Sequence, residues 1–217
     1  MPELTIAVSK GRLQGEALQL FANVGLRLKD SSDSRCLHSE DESERYRFIF
    51  IKSVDVPIYV EHGIADCGVV GRDVLLESQA DLLQPLTLPI GRCQIVIAAN
   101  TDAPRNGHTM LRVATKYPRI AAQHFGARGQ PVEIIQLSGS VELAPVLGLA
   151  DCIVDLVETG RTLRENGLCI VEVIAESSAR LVVNRASYQL KGDVVTDLLA
   201  VLRTEVTAMR KVPDTTI

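Results

Sequence analysis

The sequence predicts an α/β fold divided into two lobes. Of its 217 residues, 46% are hydrophobic and 4% are aromatic, and there is no Trp, which is typical of aliphatic layers of helix and sheet. Short, continuous apolar segments alternate with amphipathic segments, and this alternation favours a mostly parallel sheet covered by helices. A polar stretch containing Pro and Gly at residues 100–108 interrupts the alternation, which then starts again. An interruption of the pattern across residues 90–108 favours two lobes over a single sheet.

In the first half of the chain, apolar runs and helical spacing define the elements. Strands are predicted at residues 4–8, 34–37, 46–51, 65–70, 82–88 and 95–99. Helices are predicted at residues 13–24, 53–62 and 74–78. We expect Ser53 and Asp73 to cap the second and third of these helices, with Pro57 tolerated in the first turns. The two strands at 34–37 and 46–51 would form a hairpin around a solvated acidic turn at 40–44.

In the second half the same alternation returns. Strands are predicted at residues 111–114, 132–136, 153–157, 169–175 and 180–184. Helices are predicted at residues 117–125, 141–147, 161–165 and 194–209. The helix at 161–165 should stop at Asn166-Gly167, because glycine readily ends a helix.

Charge and cysteine content exclude several classes of protein. The formal net charge of −4 argues against binding of DNA or RNA, although a local basic cleft can still bind a small anion. The five cysteines are Cys36, Cys67, Cys93, Cys152 and Cys169. Their number is odd and none forms a C-x-x-C pair, which favours reduced thiols, and the four histidines lack zinc-ligand spacing. Without an apolar signal core or a run of about 18 apolar residues, the sequence indicates a cytoplasmic protein that binds no membrane.

Three turns that follow predicted strands are candidate ligand sites, because helix amino termini at such turns offer free N–H groups. They are residues 9–12, 71–73 and 158–163. The third contains Thr159 and Thr162, which offer hydroxyls, and Gly160, which allows close backbone approach. This turn could hold a phosphate, but its local features equally fit an ordinary strand-to-helix turn.

Two polar features of the same half also have two interpretations. Asp155 interrupts an apolar strand, and a buried carboxylate needs hydrogen-bond donors or a metal, which a ligand or the protein could supply. Ser138-Gly139-Ser140 followed by Glu142 closes another strand. There Ser140 could simply be a helix N-cap.

Cations follow predicted strands in the first half. Lys10 and Arg12 flank a glycine after the first strand, where they could bind an anion or serve only as solvated surface charges, and Arg72 has a similar but weaker setting. Arg35 lies in a serine-rich segment and by itself indicates only a polar surface. Neither a P-loop nor a G-x-G-x-x-G fingerprint occurs.

Four segments of the sequence together resemble a known enzyme family. They are VSKGRL near the amino terminus, DVPIYVEHGIADCGVVGRDVLLE, RVATKYPRIA, and LSGSVELAPVLGLADCIVDLVETGRTLRENGL. In this order and spacing they resemble ATP phosphoribosyltransferase, the first enzyme of histidine biosynthesis, and the chain length resembles the short form of that family. Arg72 stands where lysine is common and Ser9 where proline is frequent, and both changes leave the local chemistry intact.

The resemblance implies a two-lobed fold like that of type II periplasmic binding proteins, with the active site in the inter-lobe cleft. It places residues 1–92 and 178–217 in lobe I, and residues 93–177 in lobe II, the phosphoribosyl pyrophosphate-binding lobe. The implied reaction joins C1 of phosphoribosyl pyrophosphate to N1 of the adenine of ATP, with release of pyrophosphate and with Mg²⁺ as cofactor. The enzyme is therefore expected to be a pentosyltransferase.

The resemblance also implies roles for individual residues. The 5′-phosphate would be held by Thr159, Gly160, Arg161 and Thr162, with Ser138 and Gly139 also binding substrate. Glu142 and Asp155 would hold ribose hydroxyls or support the metal, for which no direct protein ligand can be assigned. Lys10, Arg12 and Arg35 would act as catalytic cations facing the pyrophosphate and triphosphate. Asp66 and Arg72 would lie near ATP.

The resemblance further implies a partner chain. The long form of the family carries a carboxyl-terminal histidine-sensing domain, for which 217 residues leave no room. The short form depends on a regulatory subunit that resembles a histidyl-tRNA synthetase, so we expect a homodimer within a hetero-oligomer. The alternatives are a two-lobed binding protein without catalysis and a catalytically silent subunit.

Overall fold

The chain folds into two compact units with separate cores. A computed structural model describes residues 2–29, 36–100 and 110–211. The first unit comprises Met1–Gly91 and Ser178–Ile217, and the second comprises Arg92–Ser177. The chain therefore passes from the first unit to the second and back again.

The secondary structure alternates along most of the chain. The strands are β1 (Leu4–Ser9), β2 (His38–Glu40), β3 (Tyr46–Ile51), β4 (Cys67–Gly71), β5 (Leu83–Thr87), β6 (Cys93–Ala99), β7 (Leu111–Thr115), β8 (Val132–Gln136), β9 (Cys152–Val157), β10 (Cys169–Ser177) and β11 (Ala179–Val183). The helices are α1 (Arg12–Asn23), α2 (Val56–Glu61), α3 (Arg72–Ser78), α4 (Pro118–Gly126), α5 (Leu143–Val146), α6 (Arg161–Glu165), α7 (Arg185–Leu190) and α8 (Gly192–Lys211). None of these helices has the length and apolar character needed to cross a membrane.

Each unit contains a mixed sheet. In the first unit the strand order is β2-β3-β1-β4-β11-β5, and β1 pairs in parallel with β3 and β4. In the second unit the order is β10-β6-β9-β7-β8, and β7 pairs in parallel with β8 and β9. Strands β2, β5, β6, β10 and β11 make antiparallel pairs.

The prediction of a mostly parallel sheet is therefore wrong. Strand β5 precedes the passage into the second unit and β11 follows the return, so these neighbours run in opposite directions. The same holds for β6 and β10, in which Ser177 pairs with Cys93 beside the two crossings. An apolar run identifies a strand but carries no information about its direction.

The helices cover both faces of each sheet. In the first unit, α1 and α8 pack on one face, through side chains such as Phe21 and Leu202. The other face is covered by α2 and α3, which contribute Val60 and Leu75. In the second unit, α5 and α6 pack on one face and α4 on the other. These layers expose the strand ends, where loops and helix amino termini lie.

The first hairpin differs from the prediction. Strand β2 begins at His38, which pairs with Ile49, so the predicted partner segment 34–37 is placed too early. Residues 34 and 35 lie outside the described residues. Asp41 in the predicted solvated turn is 2% exposed, and its carboxylate accepts hydrogen bonds from the backbone N–H groups of Tyr46 and Ser43 at 2.8 and 3.1 Å. This carboxylate therefore shapes the turn from inside.

The capping predictions for two helices are also wrong. Ser53 starts a separate 3₁₀ turn, Ser53–Asp55, and α2 begins afterwards with Pro57 in its first turn. Gly71 occupies the N-cap of α3, and Asp73 lies buried within the first turn. Helix α7 was not predicted, although Asn184 caps it by accepting from the Ser187 N–H at 2.9 Å.

Candidate functional site

In the second unit, the carboxyl ends of three parallel strands lie side by side. Thr115, the last residue of β7, pairs with Gln136 at the end of β8 and with Val154 in β9. The Leu137 N–H continues this alignment by donating to the Thr115 carbonyl at 2.9 Å. The loops that follow the three strands therefore start from one edge of the sheet, where a ligand can contact all of them.

The turn between β9 and α6 is braced by its own residues. Gly160 has φ 69°, a left-handed conformation that suits glycine. The Arg164 guanidinium donates to the Thr159 carbonyl at 3.1 Å. Thr159 and Thr162 are exposed, and N–H groups in the first turn of a helix have no partner within the helix. The turn thus presents hydroxyls and N–H donors on a fixed backbone.

The Arg161 side chain forms an ion pair within α6. Its Nε donates to Glu165 at 2.7 Å, one turn later, and both side chains are exposed. Its backbone N–H lies at the turn, 3.5 Å from the Thr159 hydroxyl oxygen. Arg161 therefore brings its backbone to the predicted phosphate site, while its charge is paired with Glu165.

Asp155 lies within β9, the strand that leads into this turn, and has few hydrogen-bond partners. It is 7% exposed, and its Oδ1 accepts a hydrogen bond from the Leu156 N–H at 2.8 Å. Within the described part of the chain no side chain donates to this carboxylate. Burial raises the pKa of Asp155, the nearby Glu142 charge raises this pKa further, and Lys116 opposes the shift. A buried carboxylate with so few donors is a strong candidate for contact with a ligand.

The loop after β8 brings further polar groups to the same edge. Ser138 and Gly139 are exposed, and Ser140 has φ 48° while its carbonyl accepts from the Leu143 N–H at 3.2 Å. Glu142 is the N-cap residue of α5, so the interpretation of Ser140 as an N-cap is wrong. Lys116, which follows β7, was missed by the sequence analysis, although a cation two residues after the predicted strand at 111–114 was a signal.

In the first unit, cations follow the parallel strands. The Ser9 hydroxyl donates to the Val69 carbonyl at 3.0 Å and the Lys10 N–H donates to the Ile51 carbonyl at 2.7 Å, which joins the ends of β1, β3 and β4. Lys10 and Arg12 follow β1, and Arg72 follows β4. Lys52, which follows β3, is exposed and was also missed.

Asp66 and Arg35 do not join this group. Asp66 precedes β4 and so lies at the opposite edge of the sheet from Arg72. Its buried carboxylate accepts from the Thr5 N–H at 2.8 Å, the Ser187 hydroxyl at 2.7 Å and the Lys191 ammonium at 2.9 Å. These bonds attach β1 to the segment after β11, a structural role. Arg35 lies outside the described residues.

Two of the cysteines are buried. Burial raises the pKa of the Cys67 thiol and raises the pKa of Cys152 to about 12, so both remain protonated at neutral pH. Cys93 is half-buried, and Cys36 and Cys169 are exposed. Among residues 2–29, 36–100 and 110–211, no group of three or more His, Cys, Asp or Glu side chains is arranged to hold a metal ion.

Comparisons with known proteins identify the family of this chain. The model of the family HisG: ATP phosphoribosyltransferase matches residues 52–204. The ATP phosphoribosyltransferase of Caldanaerobacter subterraneus subsp. tengcongensis is 48% identical over 94% of this chain and 97% of its own length. That of Geobacillus sp. strain WCH70 is 48% identical over 90% of this chain and 95% of its own length. The chain belongs to the ATP phosphoribosyltransferase family.

Solved structures support the same family and fold. The ATP phosphoribosyl transferase (HisG:HisZ) complex from Thermotoga maritima contains a chain that is 35% identical, with a TM-score of 0.81, over 94% of this chain and 99% of that one. The aliphatic sulphonate binding protein SsuA from Escherichia coli is 14% identical, covers 95% of this chain and 73% of its own, and has a TM-score of 0.61, which shows the fold alone. The predicted family and the predicted two-lobed α/β class are confirmed. Family members are pentosyltransferases that catalyse the first step of histidine biosynthesis.

Proposed function

We propose that the second unit binds phosphoribosyl pyrophosphate and that the first unit binds the polyphosphate groups, so that this chain forms phosphoribosyl-ATP. The observation that carries the proposal is the turn at Thr159–Thr162 at the carboxyl end of β9, the strand that contains the buried Asp155. One edge of the sheet thereby offers donors suited to a phosphate and an acceptor suited to hydroxyls. A ribose 5-phosphate needs both.

The phosphate end of the substrate fits the turn after β9. Backbone N–H groups and the hydroxyls of Thr159 and Thr162 are donors, and a phosphate accepts hydrogen bonds through its oxygens. Gly160 allows the left-handed backbone conformation of this turn, with φ 69°. We assign the 5′-phosphate to this turn, with the Arg161 N–H as a further donor and with Ser138 and Gly139 lining the neighbouring loop.

The ribose fits the carboxylates. The Asp155 carboxylate can accept more hydrogen bonds, and ribose hydroxyls can donate them. The charge of Glu142, in the neighbouring loop, raises the pKa of Asp155. In the reaction, the N1 lone pair of adenine attacks C1 while the C1–O bond to pyrophosphate breaks and its electron pair leaves with pyrophosphate. Positive charge develops on the ribose, and nearby carboxylates stabilise that charge. Positioning of the two substrates provides the remainder of the rate enhancement.

The cations of the first unit suit the polyphosphates. Lys10, Arg12 and Arg72 follow strands that end at one edge of the first sheet, and Lys52 lies there too. We assign the pyrophosphate and triphosphate to these side chains, together with Arg35. Asp66 is omitted from the site because its carboxylate is occupied within the unit.

Mg²⁺ fits this site as an ion that binds together with the substrate. Glu142 and Asp155 are the carboxylates that would face it, and Mg²⁺ is commonly held by one or two carboxylates, waters and substrate phosphates. When bound, the ion would neutralise pyrophosphate oxygens. The protein residues retain the tasks of orienting ribose and phosphate.

A regulatory partner is part of the proposal. The Thermotoga maritima protein of similar fold is in a HisG:HisZ complex, and its chain is covered almost completely. We infer that this chain also assembles with a regulatory subunit resembling a histidyl-tRNA synthetase. Histidine should then inhibit the mixture of the two chains, and strong inhibition of the purified chain alone would contradict this assignment. ATP and phosphoribosyl pyrophosphate are cytoplasmic metabolites, so we place the protein in the cytoplasm.

The function is tested by mixing the chain, alone and with its regulatory subunit, with ATP, phosphoribosyl pyrophosphate and Mg²⁺. Absorbance of phosphoribosyl-ATP should increase, and Thr162→Val should lower turnover at least about tenfold, equivalent to ~1.4 kcal/mol. The matched control is Thr204→Val, which removes an exposed hydroxyl from α8. Absence of turnover under both conditions overturns the function, whereas equal rates for Thr162→Val and wild type overturn the site assignment.

A further inference from the structure

Arg180 is an additional cation at the basic edge of the first sheet. It lies near the amino end of β11, which runs antiparallel to β4 with Arg180 opposite Val70. Because of this direction, the amino end of β11 lies where β1, β3 and β4 have their carboxyl ends. Arg180 therefore shares an edge with Lys10 and Arg72, although it begins a strand while they follow strands.

Arg180 and Arg72 both donate hydrogen bonds to Ser178. The Arg72 N–H donates to the Ser178 carbonyl at 3.1 Å, and the Arg180 Nη1 donates to the Ser178 hydroxyl at 3.0 Å. Arg180 also lies on the same sheet face as Val70 and Val182, the face that α2 and α3 cover. Since Arg72 opens α3, the two arginines approach each other from the strand and from the helix.

Among residues 2–29, 36–100 and 110–211, no carboxylate forms an ion pair with Arg180. Its partners in the described structure are neutral, namely the Ser178 hydroxyl and, at 3.4 Å, the Ala179 carbonyl. Partial burial and the Arg72 charge both lower the pKa of Arg180. By contrast, Arg185 lies just beyond the other end of β11 and forms an ion pair with Asp81. Its Nη2 and Nε donate to Asp81 Oδ1 at 2.7 and 3.0 Å. A partly buried guanidinium beside a second one is costly unless an anion joins them.

We propose that Arg180 and Arg72 form a binding site for a phosphate group of a substrate. The inference rests on the proposed function, and it adds to that function a residue from an antiparallel strand. A guanidinium presents several N–H donors in a plane that matches two phosphate oxygens, and two of them at one site neutralise a doubly charged phosphate. The phosphate belongs either to the triphosphate of ATP or to the pyrophosphate of the second substrate.

Calorimetric titration of the chain with ATP and, separately, with phosphoribosyl pyrophosphate tests the site. Arg180→Gln should weaken binding of at least one of them about tenfold, which corresponds to ~1.4 kcal/mol, and Arg180→Lys should restore part of it. Weaker ATP binding alone assigns the triphosphate, and weaker phosphoribosyl pyrophosphate binding alone assigns the pyrophosphate. Weakening of both identifies a phosphate position that the two ligands share.

Arg185→Gln is the matched control, because it removes an arginine at the other end of β11 that has its own carboxylate partner. It should leave both affinities within about twofold of wild type. If Arg180→Gln folds poorly, Arg72→Gln provides the same titration. Unchanged affinities in a folded Arg180→Gln protein overturn the inference while wild-type turnover stands. Wild type that binds both ligands but shows no turnover contradicts the proposed function instead.

Discussion

The two units have the same strand arrangement but carry different side chains at the strand ends. In the first unit β1 lies between two parallel strands, and the turns after these three strands carry Lys10, Lys52 and Arg72. In the second unit β7 lies between two parallel strands, and the loops after these strands carry Glu142 and Thr159. The backbone arrangement is the same at both edges: a central strand, two parallel neighbours and loops that leave from one side. The side chains differ in charge. One edge has ammonium and guanidinium groups, and the other has carboxylates and hydroxyls together with the ammonium group of Lys116 after β7.

This difference separates the contribution of the backbone from that of the side chains. Strand ends supply N–H donors at both edges, which suits any anion. Lysine and arginine add the charge that a polyphosphate requires. Carboxylates close to a phosphate would repel it, and the Asp155 carboxylate lies buried within β9, before the turn at Thr159 begins. Three predictions test this division of labour between the two edges.

The largest effect is expected at Gly160, because its left-handed φ of 69° shapes the turn and because a Cβ there would crowd the Arg164 side chain, which donates to the Thr159 carbonyl. A Cβ there would lie 3.2 Å from Arg164 Nη1 and 3.7 Å from Val157 Cγ1. Gly160→Ala should lower turnover about a hundredfold, equivalent to ~2.7 kcal/mol, through loss of phosphoribosyl pyrophosphate binding. ATP binding, measured by calorimetry, should change much less.

Gly129→Ala is the matched control. Gly129 also has a left-handed φ, 65°, but nothing lies within 4 Å of a Cβ at this position. Both variants should lose stability by about 1–2 kcal/mol from backbone strain, as thermal denaturation would show. Equal losses of turnover in the two variants would mean that strain alone, and no phosphate contact, explains the effect.

The next effect is expected at Asp155, where activity and stability should change in opposite directions. Asp155→Asn should lower turnover at least about tenfold because the amide lacks the charge that stabilises the ribose. It should also raise the melting temperature at pH 7. Burial raises the Asp155 pKa above its ordinary value of 3.8, so the folded state holds this proton more tightly than the unfolded state. Wild-type stability from this group therefore falls as the pH rises from 3.8 through the raised pKa.

Thermal denaturation at several pH values checks the sign of this effect. The advantage of Asp155→Asn should be present at pH 7 and should disappear at pH values below 3.8, where both folded and unfolded wild type are protonated. A variant that is less stable than wild type at pH 7 would show that the protein itself satisfies this carboxylate.

The smallest effect is expected at Arg12, one of several cations at its edge. Arg12→Ala should raise the KM for ATP, or weaken inhibition by pyrophosphate, about three- to tenfold, since an exposed cation contributes modestly to binding. Arg47→Ala is the control, because Arg47 is exposed within β3 and pairs with Glu40 at 3.1 Å. If both variants behave alike, general surface charge rather than position at the strand end explains the effect.

Several elements were predictable because their signals are local. Strand β8 and helix α6 have their predicted limits, β1 differs from prediction by one residue at its carboxyl end, and α1 is shifted by one residue at both ends. Local apolar patterns and the glycine after each helix determine such elements. The turn at Thr159–Thr162 was identified in the same way, since a strand, a glycine and two hydroxyl residues are consecutive in the sequence.

Other features were unpredictable because they depend on partners distant in the sequence. The carboxylate of Asp66 accepts from Ser187 and Lys191, which lie more than a hundred residues later, and nothing near Asp66 announces this. Asp41, predicted to lie in a solvated turn, is buried, and its backbone forms an antiparallel bridge with Leu28 of an earlier segment. Both carboxylates show that charge in the sequence does not reveal exposure.

The sequence by itself determined the family, the alternation of strands and helices, and the residue types at the strand ends, because these depend on composition and on neighbours along the chain. The tertiary structure alone decided strand direction and therefore which residues share an edge. Arg180 joins Arg72 because β11 runs antiparallel to β4, and Asp66 is separated from Arg72 by the length of β4. Strand direction follows from backbone hydrogen bonds between distant segments, and an apolar pattern is the same in either direction.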